Sequence, residues 1–444
     1  MRCFMKYYLI VLGVLFLQST SCAQSLLEID THTYQLFFSG KYDSLKLIGN
    51  EAIKNGNDFY FLRMRLGIVY YSEKNYEAAL THFAKAYQFN DVDSVLQEYL
   101  YYSYLFTNQQ EYATILLSKC SEEIQKKLAY RPSGLLKITL GSGLSFTQND
   151  EHFAQNDILQ HQQYAEGYFS GDVVFGNLDL QSIHNKRIKM FHSFQIFNST
   201  SLGRVESPKF RFSEKTPNLN LQYNAGISWA FSRGWKAYFA AGFYRQSYSI
   251  YQFVSFSPSL PDTVSKTKLF YQNFFDDYFS GTLGAGKRFR YVAPFLGIAI
   301  ANFNKQTLLQ AEVALTYYPL GNAHLYGTTT GAIITQNSKN QLVISQTIGG
   351  KIITQLWYEI SGSYGNHQNY LAKMGFLTYN TFGNIQLAGG VDLKYYHKRL
   401  VVNPLYRFNL RKGTYTQISK NQITQQQKFN FNNHIFSILL SWNF

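Results

Sequence analysis

The chain carries little charge. Lys, Arg, Asp and Glu together make up 15% of its 444 residues, well below the roughly 25% typical of soluble domains. Cysteine is nearly absent: Cys3 and Cys22 lie near the N-terminus, and beyond residue 23 only Cys120 remains. One thiol cannot close an internal disulfide, so a stapled secreted scaffold is excluded. Long apolar runs are also missing. The single candidate, "YYLIVLGVLFL" at 7–17, has eleven residues, too few for a helix that must cross a bilayer with about twenty.

That short run instead reads as the core of a secretory signal. Arg2 and Lys6 precede it, and Ser21 and Ala23 fit cleavage after Ala23, leaving Gln24 as the mature start. The rival reading is lipid attachment at Cys22, although "STS" before it lacks the usual aliphatic residue. Export without a membrane-spanning helix leaves two classes: a soluble protein, or one that crosses a membrane as strands.

Aromatics are abundant. They reach 17%, with 36 Tyr and 37 Phe, yet mean hydropathy is −0.22 because Asn, Gln, Ser and Thr dilute them. Such a mixture suits surfaces that alternate between apolar and wet.

Two regions follow different patterns. Residues 24–130 read as helical with a repeat, clearest in "RLGIVYYSEKNYEAALTHFAKAYQFND" (65–91). Leu66, Gly67, Tyr70, Ala79, Phe83 and Ala86 take up the spacing of a 34-residue helix–turn–helix unit, in which small residues admit close packing and large ones fill the gap between neighbours. Leu100, Tyr104, Ala113 and Leu117 match 34 residues on, and "SGKYDSL" with Ala52 matches 34 residues back. This stretch resembles three tetratricopeptide repeats near 26–59, 60–93 and 94–127, with Asp91 where the usual proline would stand.

After "RPSG" (131–134) the period changes from 3.6 to 2. In "NLQYNAGISWAFS" (220–232), Leu221, Tyr223, Ala225, Ile227, Trp229 and Phe231 share one face against Asn, Gln, Gly and Ser. Ile385, Leu387, Val391, Leu393 and Tyr395 oppose Gln386, Asp392, Lys394 and Tyr396. Leu400, Val402, Pro404, Tyr406, Phe408 and Leu410 oppose Asn403, Arg407, Asn409 and Arg411. The last strand ends with Phe436, Ile438, Leu440, Trp442 and Phe444. Strands of ten to fourteen residues with one apolar face are the pattern of a transmembrane β-barrel, the only β-structure that leaves no unpaired edge in lipid. About fourteen strands are predicted over 131–444, with twelve or sixteen also open, since two connections, near 304–307 and 337–340, are short. Short turns alternate with long connections near 149–165, 201–218, 251–276, 365–383 and 413–430, which are expected outside the cell. The fold class is therefore α+β in two domains: an N-terminal α-solenoid of about three repeat-like hairpins, then an antiparallel barrel. Phe444 resembles the C-terminal aromatic of bacterial outer-membrane proteins, where the last strand closes the barrel and, with Trp442, is read by the assembly machinery.

Charge divides unevenly. Residues 24–130 hold ten Lys and Arg against thirteen Asp and Glu, and residues 131–444 hold 29 against 14. Export removes the basic part from nucleic acid. Lipopolysaccharide phosphates, an anionic polymer or an anionic solute remain as partners. Arg204, Lys209, Arg211, Lys266 and Lys268 suit a rim against lipopolysaccharide and outer-membrane lipid. Alternation turns Asp392, Lys394, Arg407, Arg411, Glu312 and Glu359 toward the lumen. An Asp392–Arg407 ion pair that only stabilises the interior and a role in selecting a solute are both open.

Signals for chemistry are weak. "LGAGKRF" (283–289) lacks phosphate-loop spacing and lies in a strand. Asp150, Glu151, His152, Asp157 and His161 match no defined metal site, and no strand offers an obvious Ser–His pair near a rim. No metal, cofactor or catalytic residue is expected. In architecture the chain resembles the repeat-bearing exopolysaccharide exporters, whose repeats recruit periplasmic partners while the barrel passes polymer, and the YaiO-type outer-membrane barrels. The resemblance implies a periplasmic protein docked on the repeats. It is compatible with a transport barrel and with a closed barrel acting as an anchor; an enzyme at the rim is a third alternative.

Overall fold

The computed structural model describes residues 26–148, 158–160, 162–208, 210–231, 234–253, 269–303, 305–378, 383–419 and 424–444. The expected leader, the acidic and histidine residues of 150–161 named above, and Lys209, Lys266 and Lys268 lie outside them. The chain divides into two compact units at Asn108.

The first unit contains five described helices: α1 (Leu26–Phe38), α2 (Tyr42–Lys54), α3 (Tyr60–Ser72), α4 (Tyr76–Phe89) and α5 (Ser94–Phe106). Their starts are set locally. The Asn75 side chain caps α4, accepting from the Ala78 amide at 3.2 Å. Asp93 caps α5 by accepting from the amides of Val95 and Leu96 at 2.7 and 3.0 Å, which satisfies donors that the first turn leaves unpaired. The same carboxylate accepts from Tyr60 Oη at 2.6 Å, tying α3 to the head of α5. Lys74, just past α3, takes a left-handed φ of 62° that turns the chain back. Leu45, Leu62, Leu66 and Val69 form the core. At Gly67 the ring of Phe83 lies where a Cβ would stand, so the missing side chain brings α3 and α4 together. Ala79 and Ala86 are fully buried on α4.

In the second unit, α6 (Gln110–Leu117) and α7 (Glu122–Lys127) precede the strands. Across both units, α1, α3 and α5 begin at 26, 60 and 94, and α2, α4 and α6 at 42, 76 and 110, so the helix pairs recur every 34 residues.

Fourteen antiparallel strands close into a barrel. They are β1 (Gly134–Gln148), β2 (Tyr164–His184), β3 (Ile188–Ser207), β4 (Phe210–Ala230), β5 (Trp235–Phe253), β6 (Leu269–Lys287) and β7 (Val292–Phe303). The circle continues with β8 (Gln306–Tyr317), β9 (Leu325–Gln336), β10 (Lys339–Lys351), β11 (Leu356–Gly365), β14 (Asn384–His397), β15 (Leu400–Ile418) and β16 (Thr424–Asn443). Pairing of β1 with β16, from Lys137 opposite Asn443 to Gln148 opposite Asn432, leaves no free edge. The outer face is apolar: Leu296 and Ile298 are 63% and 62% exposed on β7, and Leu309, Val313, Phe436, Ile438 and Leu440 continue the band. Trp229, Trp235, Trp442 and Phe444 stand on the outer face at the end where the turns are short, as an aromatic girdle requires.

Four expectations need correction. The connections at 201–218 and 413–430 are largely strand: β3 runs to Ser207, β4 starts at Phe210, and β15 and β16 pair from Ile418 opposite Thr424. Beyond the lipid an antiparallel ribbon needs no apolar face, so alternation fades while hydrogen bonding continues. Second, Arg204 is not a rim cation. It is 1% exposed and pairs with Glu206, which also receives Arg211; a small core of Ile158, Ala165, Phe169, Tyr415, Phe429 and Phe431 forms in the same extension, where β15 pairs directly with β2. Third, a register shift between Ile385 and Leu387 turns Ile385, 2% exposed, away from the apolar outer face and places it opposite Arg411. The fourth concerns 365–383, described next.

Candidate functional site: the barrel interior

A fourteen-stranded barrel is wider than the eight-stranded kind that side chains alone can fill. Here the connection between β11 and β14 does part of the filling. Residues 366–378, expected as an outer loop, run into the lumen as a two-stranded ribbon of β12 (Leu371–Ala372) and β13 (Leu377–Thr378) around a short turn at Lys373–Gly375. Lys373, Met374 and Gly375 take φ of 51°, 59° and 84°, a left-handed run that is unfavourable for the two residues bearing a Cβ.

Interior side chains of most of the wall hold this segment. Gln310 on β8 makes a two-point contact with Leu371, donating to its carbonyl at 2.8 Å and accepting from its amide at 3.0 Å. Asn369 donates to Gln336 on β9 at 2.9 Å, and the Tyr370 hydroxyl donates to Glu312 Oε2 at 3.2 Å. Further round the wall, on β5, β6 and β3, the Tyr244 hydroxyl donates to the Gly375 carbonyl at 2.9 Å, Thr282 to that of Met374 at 3.0 Å, and Gln195 to that of Phe376 at 3.2 Å. Phe376 packs over Gly226, where a Cβ would come within 2.9 Å of its ring. Leu371 and Ala372 join Tyr244, Tyr278, Phe303, Leu308, Ile334 and Val343 in one buried cluster. Backbone carbonyls of an inserted turn thus find donors in the wall, as burial demands. A cavity of about 200 Å3 remains between Met374, Phe376 and the wall at Phe191, Tyr238 and Ala240.

Charged groups gather beside the turn. Glu359 on β11 lies opposite Asp392 on β14. Lys394 donates to Glu359 Oε2 at 2.5 Å, and Tyr326 on β9 donates to the other carboxylate oxygen. Arg407 on β15 reaches Asp392 at 3.3 Å, diagonally across the pair. The Lys373 ammonium is within electrostatic reach of Asp392, Glu359, Arg407 and Lys394. Three cations and two carboxylates therefore share one level of the lumen.

No family model matches the chain, and no curated protein matches it. Solved structures align with the chain over much of its length. A Pseudomonas aeruginosa FadL homologue aligns at 9% identity over 71% of this chain and 92% of its own, with a TM-score of 0.45. The Pseudomonas putida toluene transporter TodX aligns at 11% identity over 71% and 91%, TM-score 0.43. A bacterial polysaccharide outer membrane secretin aligns at 9% over 70% and 98%, TM-score 0.34. With every TM-score below 0.5, these likenesses decide nothing about this chain.

The residues expected in the lumen do not form one site. Asp392, Lys394, Arg407 and Glu359 come together. Glu312 stands apart on β8 with Tyr370, and Arg411 is buried opposite Ile385 and Phe431, two pleat repeats beyond Arg407 toward the long-loop end. Sequence reasoning missed Lys373, Tyr326, Gln310, Gln195, Tyr244 and Thr282. The polar wall residues alternate as any lumen residue does, so nothing marks them singly. The inserted segment did carry a signal: "NYLAKMGFLT" (369–378) is too rich in Tyr, Leu, Met and Phe for a loop left in water. Among the described residues no group of three or more His, Cys, Asp or Glu is arranged to hold a metal.

Proposed function

We propose that this protein is an outer-membrane barrel serving transport, closed at rest by the 366–378 segment, with 34-residue repeats of the tetratricopeptide kind that dock a periplasmic protein. The observation that carries the reading is how the segment is held. It leaves β11, returns to β14, and is held in the lumen by side-chain hydrogen bonds from β8, β5 and β3 rather than by a continuous ladder with any strand. Such bonds contribute about 0.5–1.5 kcal/mol each, so the closure is strong in sum and removable in steps. Beneath it the wall is polar and charged, as a water-filled passage is and a packed anchor need not be. The short-turn end, into which α6 and α7 lead, belongs in the periplasm in this reading, and lipid with lipopolysaccharide surrounds the apolar band. No catalytic residue is assigned.

A second reading, a closed barrel that anchors a periplasmic complex, is favoured by one observation: the lumen charges largely neutralise each other in pairs. Single-channel recording in a planar bilayer separates the two. Full-length protein is expected to be silent or to open briefly, and a variant with 369–378 replaced by a Gly-Ser linker is expected to conduct steadily. A folded, heat-modifiable linker variant that stays silent would sink the transport reading and leave the anchor.

A further inference from the structure

The first turn of α6 is bound to the short-turn end of the barrel through three successive residues. Glu111 Oε1 lies 3.0 Å from Lys189 Nζ on β3, and Oε2 lies 2.7 Å from Lys236 Nζ on β5. Lys189 also donates to Gln110 Oε1 at 3.2 Å. The Tyr112 hydroxyl is 3.1 Å from the Phe231 carbonyl and 3.0 Å from that of Trp235, at the β4–β5 turn. Register puts both lysines on the interior face: Lys189 is opposite Ser228, and Ser228 is opposite Tyr238, both interior residues, while Lys236 is opposite buried Ala230. Lys137 on β1 adds a third cation within reach of Lys189.

Glu111 therefore sits in the barrel mouth as a carboxylate clamped between two ammoniums, its side chain only 6% exposed. Burial alone would raise its pKa, but Lys189 and Lys236 outweigh burial and hold it down to about 2. Without Glu111, Lys189 and Lys236 would face one another with Lys137 near Lys189, and the carboxylate within reach of Lys137, Asp179, is already bonded to Ser193 at 2.6 Å and Asn177 at 2.8 Å. Like charges so placed call for an anion.

We propose that Lys189 and Lys236 form an oxyanion site at the barrel mouth, which Glu111 occupies as a built-in ligand, so that a carboxylate- or phosphate-bearing molecule displaces α6. An eight-residue helix is not stable alone in water. Once displaced, α6 loses its protection against hydrogen exchange, which gives a readout independent of conduction; the site stands whether the barrel conducts or not.

The test is hydrogen–deuterium exchange of the 108–120 segment in the full-length protein, with inorganic phosphate as the probe and chloride at equal ionic strength as the control. Phosphate is expected to raise uptake in this segment and chloride to leave it unchanged. Glu111→Gln is expected to raise the exchange rate about tenfold or more without any anion, since it unbalances a buried ion pair, and to abolish the phosphate response. Lys189→Gln with Lys236→Gln removes the response as well, while heat-modifiability in detergent verifies that the barrel is folded. Equal effects of phosphate and chloride would reduce the contact to ordinary screening and overturn the site. So would unchanged uptake in Glu111→Gln.

Discussion

At Gly67 an added methyl group would meet the Phe83 ring, and neither helix has room to retreat because Leu66, Ala79 and Phe83 are all fully buried. Overpacking of this kind costs about 1–3 kcal/mol. Gly67→Ala is therefore expected to lower the thermal midpoint of the 222-nm helical signal, while the barrel's heat-modifiability is unaffected; an unchanged midpoint would mean that α3 and α4 can slide apart freely. The repeat spacing names both Gly67 and Phe83 as packing positions, and that the two meet comes from the structure. The lumen shows the opposite case. Alternation alone identified Glu359, Asp392, Lys394 and Arg407, yet it was blind to Tyr326 and Lys373, which complete the network from another strand and from an inserted turn. Periodicity reports which face a residue occupies, not which neighbour it meets.

The element that matters most is the 366–378 segment, and its behaviour turns on Gln310. That side chain satisfies both the amide and the carbonyl of Leu371, inside the buried cluster. Gln310→Ala removes both partners and leaves two backbone groups unsatisfied, which at about 1–3 kcal/mol for each such group should raise transient release of the segment at least about thirtyfold. A cysteine placed at Met374 in a Cys120→Ser background measures this through its rate of maleimide labelling. Equal rates with and without Gln310→Ala would show that the segment is held elsewhere. Sequence reading put this element outside the barrel because connection length is judged from the strand pattern on either side. Length does not say whether a loop folds outward or in; only its apolar content hinted at burial. The long extensions of β3, β4, β15 and β16 escaped notice for a related reason: the pattern being read is imposed by lipid, and it stops where lipid stops.

At the scale of the whole molecule, strand count, closure and the identity of the outer face were all legible, because each follows from one constraint. A sheet in lipid must pair every edge and present apolar side chains outward. The outer band on β7 and β8 meets that demand without interruption from Leu296 through Ile298 and Ile300 to Leu309 and Val313. The inner positions on the same strands carry Gln310 and Glu312, and Ser345 stands on the interior face of β10 opposite Thr330 and Ser363. The two faces should therefore respond oppositely to the same charge. Ile298→Arg places a guanidinium in hydrocarbon and should cost about 2–4 kcal/mol near the midplane, whereas Ser345→Arg turns the same group toward the polar lumen and should cost far less. Equilibrium unfolding in lipid vesicles, followed by the fraction of heat-modifiable barrel, compares them directly. A large penalty at Ile298 with tolerance at Ser345 is what a membrane-spanning barrel requires. Equal tolerance at both would mean that the apolar band is covered by protein, and the case for a lipid-embedded barrel would fall with it.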